Sequence, residues 1–60
     1  SVVIKTYPGL AAAVAFAVDS LNMPSILGCV AGDDTVIIVT ATEEAAKELS
    51  EKITELMKNF

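Results

Sequence analysis

Two adjacent carboxylates, Asp33 and Asp34, stand in the stretch "CVAGDDTVIIV" (Cys29–Val39) between two apolar runs rich in β-branched residues. Three chemistries suit such a pair. The first is a plain turn, in which Gly32 supplies a positive φ and one aspartate makes an Asx hydrogen bond to the backbone. The second is a magnesium site, since hard divalent cations take carboxylate oxygens. The third is a cation site shared between subunits. Adjacent residues on extended backbone point to opposite faces, so in a homo-oligomer one carboxylate faces its own subunit and the other a neighbour. Acidic groups converging at such an interface repel one another unless a cation stands between them. A guanidinium suits that place better than an ammonium, because its planar fork bonds two carboxylate oxygens at once. The residues alone leave all three readings open.

Other reactive groups are few. Asp19 is the one ionised side chain on an otherwise apolar run and shares a helical face with Ala12 and Ala15. It either stands beside a space left by the small alanines or accepts a hydrogen bond from the turn that follows. Cys29, within an apolar run, reads as a small buried hydrophobe. The chain has no histidine, so neither an ordinary zinc site nor a nucleophile–base pair is available. Ser20, Ser25 and Ser50 lack the context of a nucleophile elbow, and "YPGLAA" is not a phosphate-cradling loop. The expectation is a protein that is not an enzyme and carries no cofactor.

Length and composition narrow the class. Sixty residues form one domain, residues 1–60, and a chain of this size buries only about 60% of the surface that its unfolded form exposes. One cysteine makes no intramolecular disulfide, so self-association is the remaining source of extra stability. Hydrophobic residues make up 53% of the chain and charged ones 20%, an apolar surplus that points to an interface. The formal charge of −4, with four lysines and no arginine, gives no basic patch with which this chain itself would bind nucleic acid. The longest apolar stretch, Leu10–Val18, is about half of what a bilayer requires, and no basic segment precedes it as in a signal peptide. No membrane partner is expected, and a cytoplasmic setting is. The start on "SVVIKT", without methionine, reads as a piece of something longer.

The elements that must position these groups follow from pattern. Val2-Val3-Ile4 with Thr6 reads as a strand stopped by Pro8. A helix over Gly9–Leu21 follows, with Thr6 or Tyr7 as its cap. "SILGCVA" and "TVIIVTA" form two strands joined so tightly across "GDD" that they must be a hairpin. Ala45, Ala46, Leu49, Ile53, Leu56, Met57 and Phe60 recur three or four apart and define one face of an amphipathic helix. Either Thr42 caps it or Thr40 forms a capping box with Glu43, and Glu43–Lys47 and Glu48–Lys52 are favourably spaced pairs. The order strand, helix, strand, strand, helix predicts a two-layer α+β fold with both helices on one face of an antiparallel sheet. The strands are nevertheless apolar on both faces, which predicts that a second copy of the chain covers the face the helices leave bare.

"VVIKTYPGLAAAVAFAVDSL", then "ILGCVAGDDTVIIV" and a closing acidic amphipathic helix, together resemble the C-terminal domain of bacterial arginine repressors over nearly all sixty residues. The ordered set "KT-PG", "DSL", "ILG" and "AGDDT" carries the resemblance. It implies homotrimers pairing into homohexamers, with L-arginine bound between the trimers as corepressor. Operator DNA would be bound by a separate N-terminal winged-helix domain. By position, the resemblance places the guanidinium on Asp33 and Asp34, one from each side of the interface, and the α-ammonium on Asp19. Ala11, Ala12 and the segment Cys29 to Ala31 match family positions that contact the rest of the ligand, and Thr35 closes the "AGDDT" motif. Two positions depart: Ala12 stands where relatives often carry Gln or His, and Cys29 where many carry Thr. The family domain usually begins one strand earlier, so an open sheet edge is expected along Val2 to Thr6.

Overall fold

The computed structural model describes residues 1–58. Along the chain come β1 (Val2–Lys5), α1 (Ala11–Ser20), β2 (Ile26–Ala31), β3 (Thr35–Thr40) and α2 (Glu43–Met57). The three strands form one antiparallel sheet in the order β1-β3-β2, with the most β-branched strand in the middle. This is the expected α+β arrangement. β1 is an edge strand, as anticipated for a sheet opening along Val2 to Thr6.

Register decides which apolar residues become core. Val2, Ile38 and Cys29 stand opposite one another across the sheet, and so do Ile4, Val36 and Ala31. These rows share the face on which the helices lie. Val2, Val36 and Ile38 form the buried cluster with Ala11 and Val18 of α1 and Ala46 and Leu49 of α2. Ile38 and Val36 are wholly buried. The intervening row of Val3, Ile37 and Val30 points the other way, and there the side chains are exposed. A register shift between Ile26 and Gly28 makes Leu27 the extra residue of a bulge, and its side chain too is exposed. The sheet therefore has one covered face and one bare apolar face.

Helix boundaries differ from expectation at α1. It starts at Ala11 rather than Gly9, its N-cap is Leu10, and no side chain caps it. Gly9 is the reason, because its φ of +84° is left-handed backbone that a helix cannot contain. Thr6 and Tyr7 are not caps: the Thr6 hydroxyl donates to the Tyr7 carbonyl at 2.8 Å. At the other end Asn22, with φ of 51°, turns the chain away from Ser20 and Leu21.

α2 is capped by Thr42, whose hydroxyl accepts from the Ala45 N–H at 3.0 Å. Thr40 is not the cap, since its hydroxyl instead donates to the Thr42 carbonyl. Glu43 and Glu44 lie at the positive end of the helix dipole. Among the described residues neither Glu43–Lys47 nor Glu48–Lys52 closes as an ion pair, and the one on this helix joins Lys58 to Glu55 at 3.6 Å. The expected apolar face is buried only in part. Ala46 and Leu49 are covered and Ile53 packs against the core, but Leu56 and Met57 are exposed, and Phe60 lies outside the described residues. Fifteen helical residues rise roughly 22 Å, whereas the four of β1, the edge strand on which α2 packs, span about 13 Å.

Candidate functional site

The β2–β3 connection is Gly32, Asp33 and Asp34, closed by the Gly32 N–H donating to the Thr35 carbonyl at 2.8 Å. The plain-turn reading called for a positive φ at Gly32, which is not found; among the described residues the left-handed positions are Gly9 and Asn22. The turn is also held by a neighbouring segment. That segment is the β1–α1 connection. The Asp33 carbonyl accepts the Gly9 N–H at 3.0 Å and the Ala11 N–H at 3.3 Å, and the Asp34 carbonyl accepts the Thr6 N–H at 2.7 Å. Gly9 reaches Asp33 because of its left-handed φ. A Cβ there would meet nothing within 4 Å, so the constraint is conformational and not one of space.

With their carbonyls fixed, the two carboxylates have different surroundings. Asp34 Oδ2 accepts from Lys5 Nζ at 3.0 Å and Oδ1 from the Thr35 hydroxyl at 2.9 Å. Lys5 Nζ also donates to the Thr35 hydroxyl oxygen at 2.9 Å. Register explains the triangle, since Lys5 is paired with Thr35 across β1 and β3. The Lys5 ammonium, then the Thr35 hydroxyl, hold the Asp34 carboxyl below its ordinary value of 3.8. Asp33 is exposed, and its carboxylate takes no hydrogen bond or ion pair from any described residue. Neither carboxylate makes the Asx bond of a plain turn. Among the described residues no three or more His, Cys, Asp or Glu groups gather as metal ligands.

A second polar group lies on the other part of α1. The Cys29 thiol donates to Asp19 Oδ1 at 3.5 Å and lies 3.6 Å from the Ala15 carbonyl. Asp19 was expected to accept a bond from the turn that follows. Its backbone carbonyl does so, from the Asn22 N–H at 3.2 Å, while its carboxylate turns to the strand. Desolvation, with the hydrogen bond to Asp19 and that residue's negative charge, pushes the Cys29 thiol above its ordinary value of 9.0. Cys29 is half-buried, in keeping with a packed thiol. Asp19 borders an open cleft of about 280 Å³ together with Asn22, Met23 and Gly28.

The fold thus gathers the expected residues into two groups. Ala11, Asp33, Asp34 and Thr35 meet at the hairpin tip, joined by Lys5, which reading for reactive pairs does not single out. Asp19 and Cys29 form the other group, eight residues and roughly 12 Å of helical rise from Ala11. Ala12 and Ala31 are exposed and make no side-chain contribution to either group. A signal for Lys5 does exist in the sequence: it is the only basic side chain before Lys47.

Comparison with known proteins places this geometry in a lineage. Residues 1–55 match the family described as "Arginine repressor, C-terminal domain". The arginine repressor of Acetivibrio thermocellus is 55% identical over 58 residues, which is 97% of this chain and 38% of that protein. That of Thermoanaerobacter sp. is 47% identical over 57 residues, 95% of this chain and 38% of the relative. The arginine repressor of Syntrophomonas wolfei is 48% identical over 56 residues, 93% of this chain and 37% of its own length. The chain therefore spans little more than a third of each of these curated relatives. They bear the name of repressors and not of enzymes, which agrees with a sequence that has no nucleophile–base pair.

Proposed function

Because the chain belongs to the family of arginine repressor C-terminal domains, we propose that it is the arginine-sensing and self-association domain of a transcriptional regulator of arginine metabolism. In this reading L-arginine is the corepressor. It binds where subunits meet, its guanidinium is held by Asp33 and Asp34 from opposite sides, and its α-ammonium is taken by Asp19. The ligand links trimers into a hexamer, and operator DNA is contacted by a separate winged-helix domain, so that several DNA-binding arms act at once.

The observation that carries the proposal is the state of Asp33. Its backbone is tied to Gly9 and Ala11, yet its carboxylate has no partner among the described residues. With the backbone already held, only the Asp33 side chain remains to be ordered when a cation binds. The roughly 12 Å of helix between Ala11 and Asp19 favours completion of the site by groups from different subunits. The bare apolar face of Val3, Leu27, Val30, Ile37 and Val39 supports burial against further copies of the chain. Such a regulator acts in the cytoplasm, and among the described residues no helix is long and apolar enough to cross a membrane.

The test is thermal unfolding with and without L-arginine. Wild type gains stability as ligand rises, and Asp33→Asn does not. Equal stabilisation of the two proteins would sink the proposal. The bare sheet face by itself also suits a second reading, a structural association module without a ligand. Sedimentation separates the two, since that module requires the same distribution of species with and without L-arginine.

A further inference from the structure

We propose that Lys5 is the resident counter-cation of this site: its ammonium holds the Asp34 carboxylate in the ligand-free chain and is exchanged for the guanidinium when arginine binds. The inference rests on reading Asp33 and Asp34 as the arginine site and adds to it a residue that sets the affinity for cationic ligands.

Three observations lead here. Lys5 contacts both Asp34 Oδ2 and the Thr35 hydroxyl, which in turn donates to Asp34 Oδ1, so both oxygens of this carboxylate are engaged within one chain. The pair is superficial, with the Lys5 side chain 68% and that of Asp34 46% exposed, and exposed ion pairs are weak enough to exchange. Asp33, one residue away, has no such partner among the described residues. An incoming cation thus meets one free carboxylate and one already neutralised.

The exchange has a chemical preference. An ammonium is a point charge, so a lysine ligand displacing Lys5 would replace one ammonium by another and gain nothing at Asp34. A guanidinium presents a planar fork that bonds both carboxylate oxygens together, which an ammonium does not. Lys5 therefore raises the threshold for every cation, and only a guanidinium recovers the cost. The competitor lowers the affinity of every cation by the same factor, because it acts on the ligand-free state that all of them share, and the preference itself comes from the guanidinium fork.

Titration calorimetry on the full chain tests this with L-arginine and L-lysine as ligands. Lys5→Met removes the competitor and is expected to tighten L-arginine about two- to fivefold, the scale of an exposed ion pair. It should tighten L-lysine by the same factor and leave the preference between the two ligands unchanged. Lys5→Arg installs a bidentate competitor and should weaken L-arginine binding. In an Asp34→Asn background Lys5→Met should leave the melting temperature of the ligand-free chain unchanged, since the coupling between the two is gone. If wild type binds L-arginine and Lys5→Met binds it equally or more weakly, this inference falls and the functional reading stands. If wild type binds no L-arginine, both fall.

Discussion

Lys5 and Asp34, 29 positions apart in sequence, meet at 3.0 Å across the end of the sheet. This contact joins β1 to the turn before β3, and the Thr6 N–H donating to the Asp34 carbonyl repeats the connection through the backbone.

The contact gives the stability of the chain a pH dependence. Asp34 titrates below its ordinary value of 3.8, chiefly through its hydrogen bond from Lys5. A lowered carboxyl pKa contributes stability that is full above the ordinary value and is lost as pH falls through the lowered one. Melting temperatures of wild type and Lys5→Met should therefore differ near neutral pH and converge as pH drops below about 3.8. A difference that persists in strong acid would contradict the assignment.

The Asp19–Cys29 contact is open to chemical test. The thiolate is the nucleophile toward alkylating agents, so a raised pKa slows the reaction. Asp19→Asn removes the negative charge that contributes to the raise. Iodoacetamide should then label Cys29 faster at mildly alkaline pH, by up to about tenfold for each unit of pKa recovered. An unchanged rate would mean that desolvation alone sets the thiol.

Gly9 controls the turn from a distance. Its φ of +84° is open only to glycine at low cost, and its N–H is one of two that hold the Asp33 carbonyl. Gly9→Ala meets no steric obstacle and should cost about 1–2 kcal/mol of conformational energy. Thermal denaturation measures the loss. L-arginine binding should weaken alongside it, because the backbone that carries Asp33 loses one of its two anchors.

Neighbouring residues on β3 have opposite duties. Ile38 is wholly buried beneath the helices, and Ile38→Ala should destabilise folding by about 2–5 kcal/mol, enough to endanger a domain of this size. Ile37 lies on the bare face and is exposed. Ile37→Ser should leave helical circular dichroism intact and reduce self-association, as read by sedimentation. Preserved association in Ile37→Ser would remove that face from the interface.

Much of this was legible from pattern. The hairpin across "GDD" and the buried half of α2 follow from local residue types, and Thr42 was one of the two caps they offered. The bare apolar face follows from strands that fail to alternate. The Lys5–Asp34 contact was not legible, because a slip of one residue in the pairing of β1 with β3 would turn Lys5 to the other side of the sheet. The anchoring of Asp33 was hidden for another reason: its bonds come from the backbone N–H groups of Gly9 and Ala11, which every residue but proline possesses. The positive φ at Gly32 that the plain-turn reading called for is absent as well.

The main-chain anchoring of the hairpin tip also makes it replaceable. The bonds from Thr6, Gly9 and Ala11 engage carbonyls at positions 33 and 34 and ignore the side chains carried there. Exchanging those two residues should alter what the tip recognises while the backbone beneath keeps its course. On the proposed reading of that tip, the domain is a starting point for engineered metabolite sensors in which new selectivity is written into two positions.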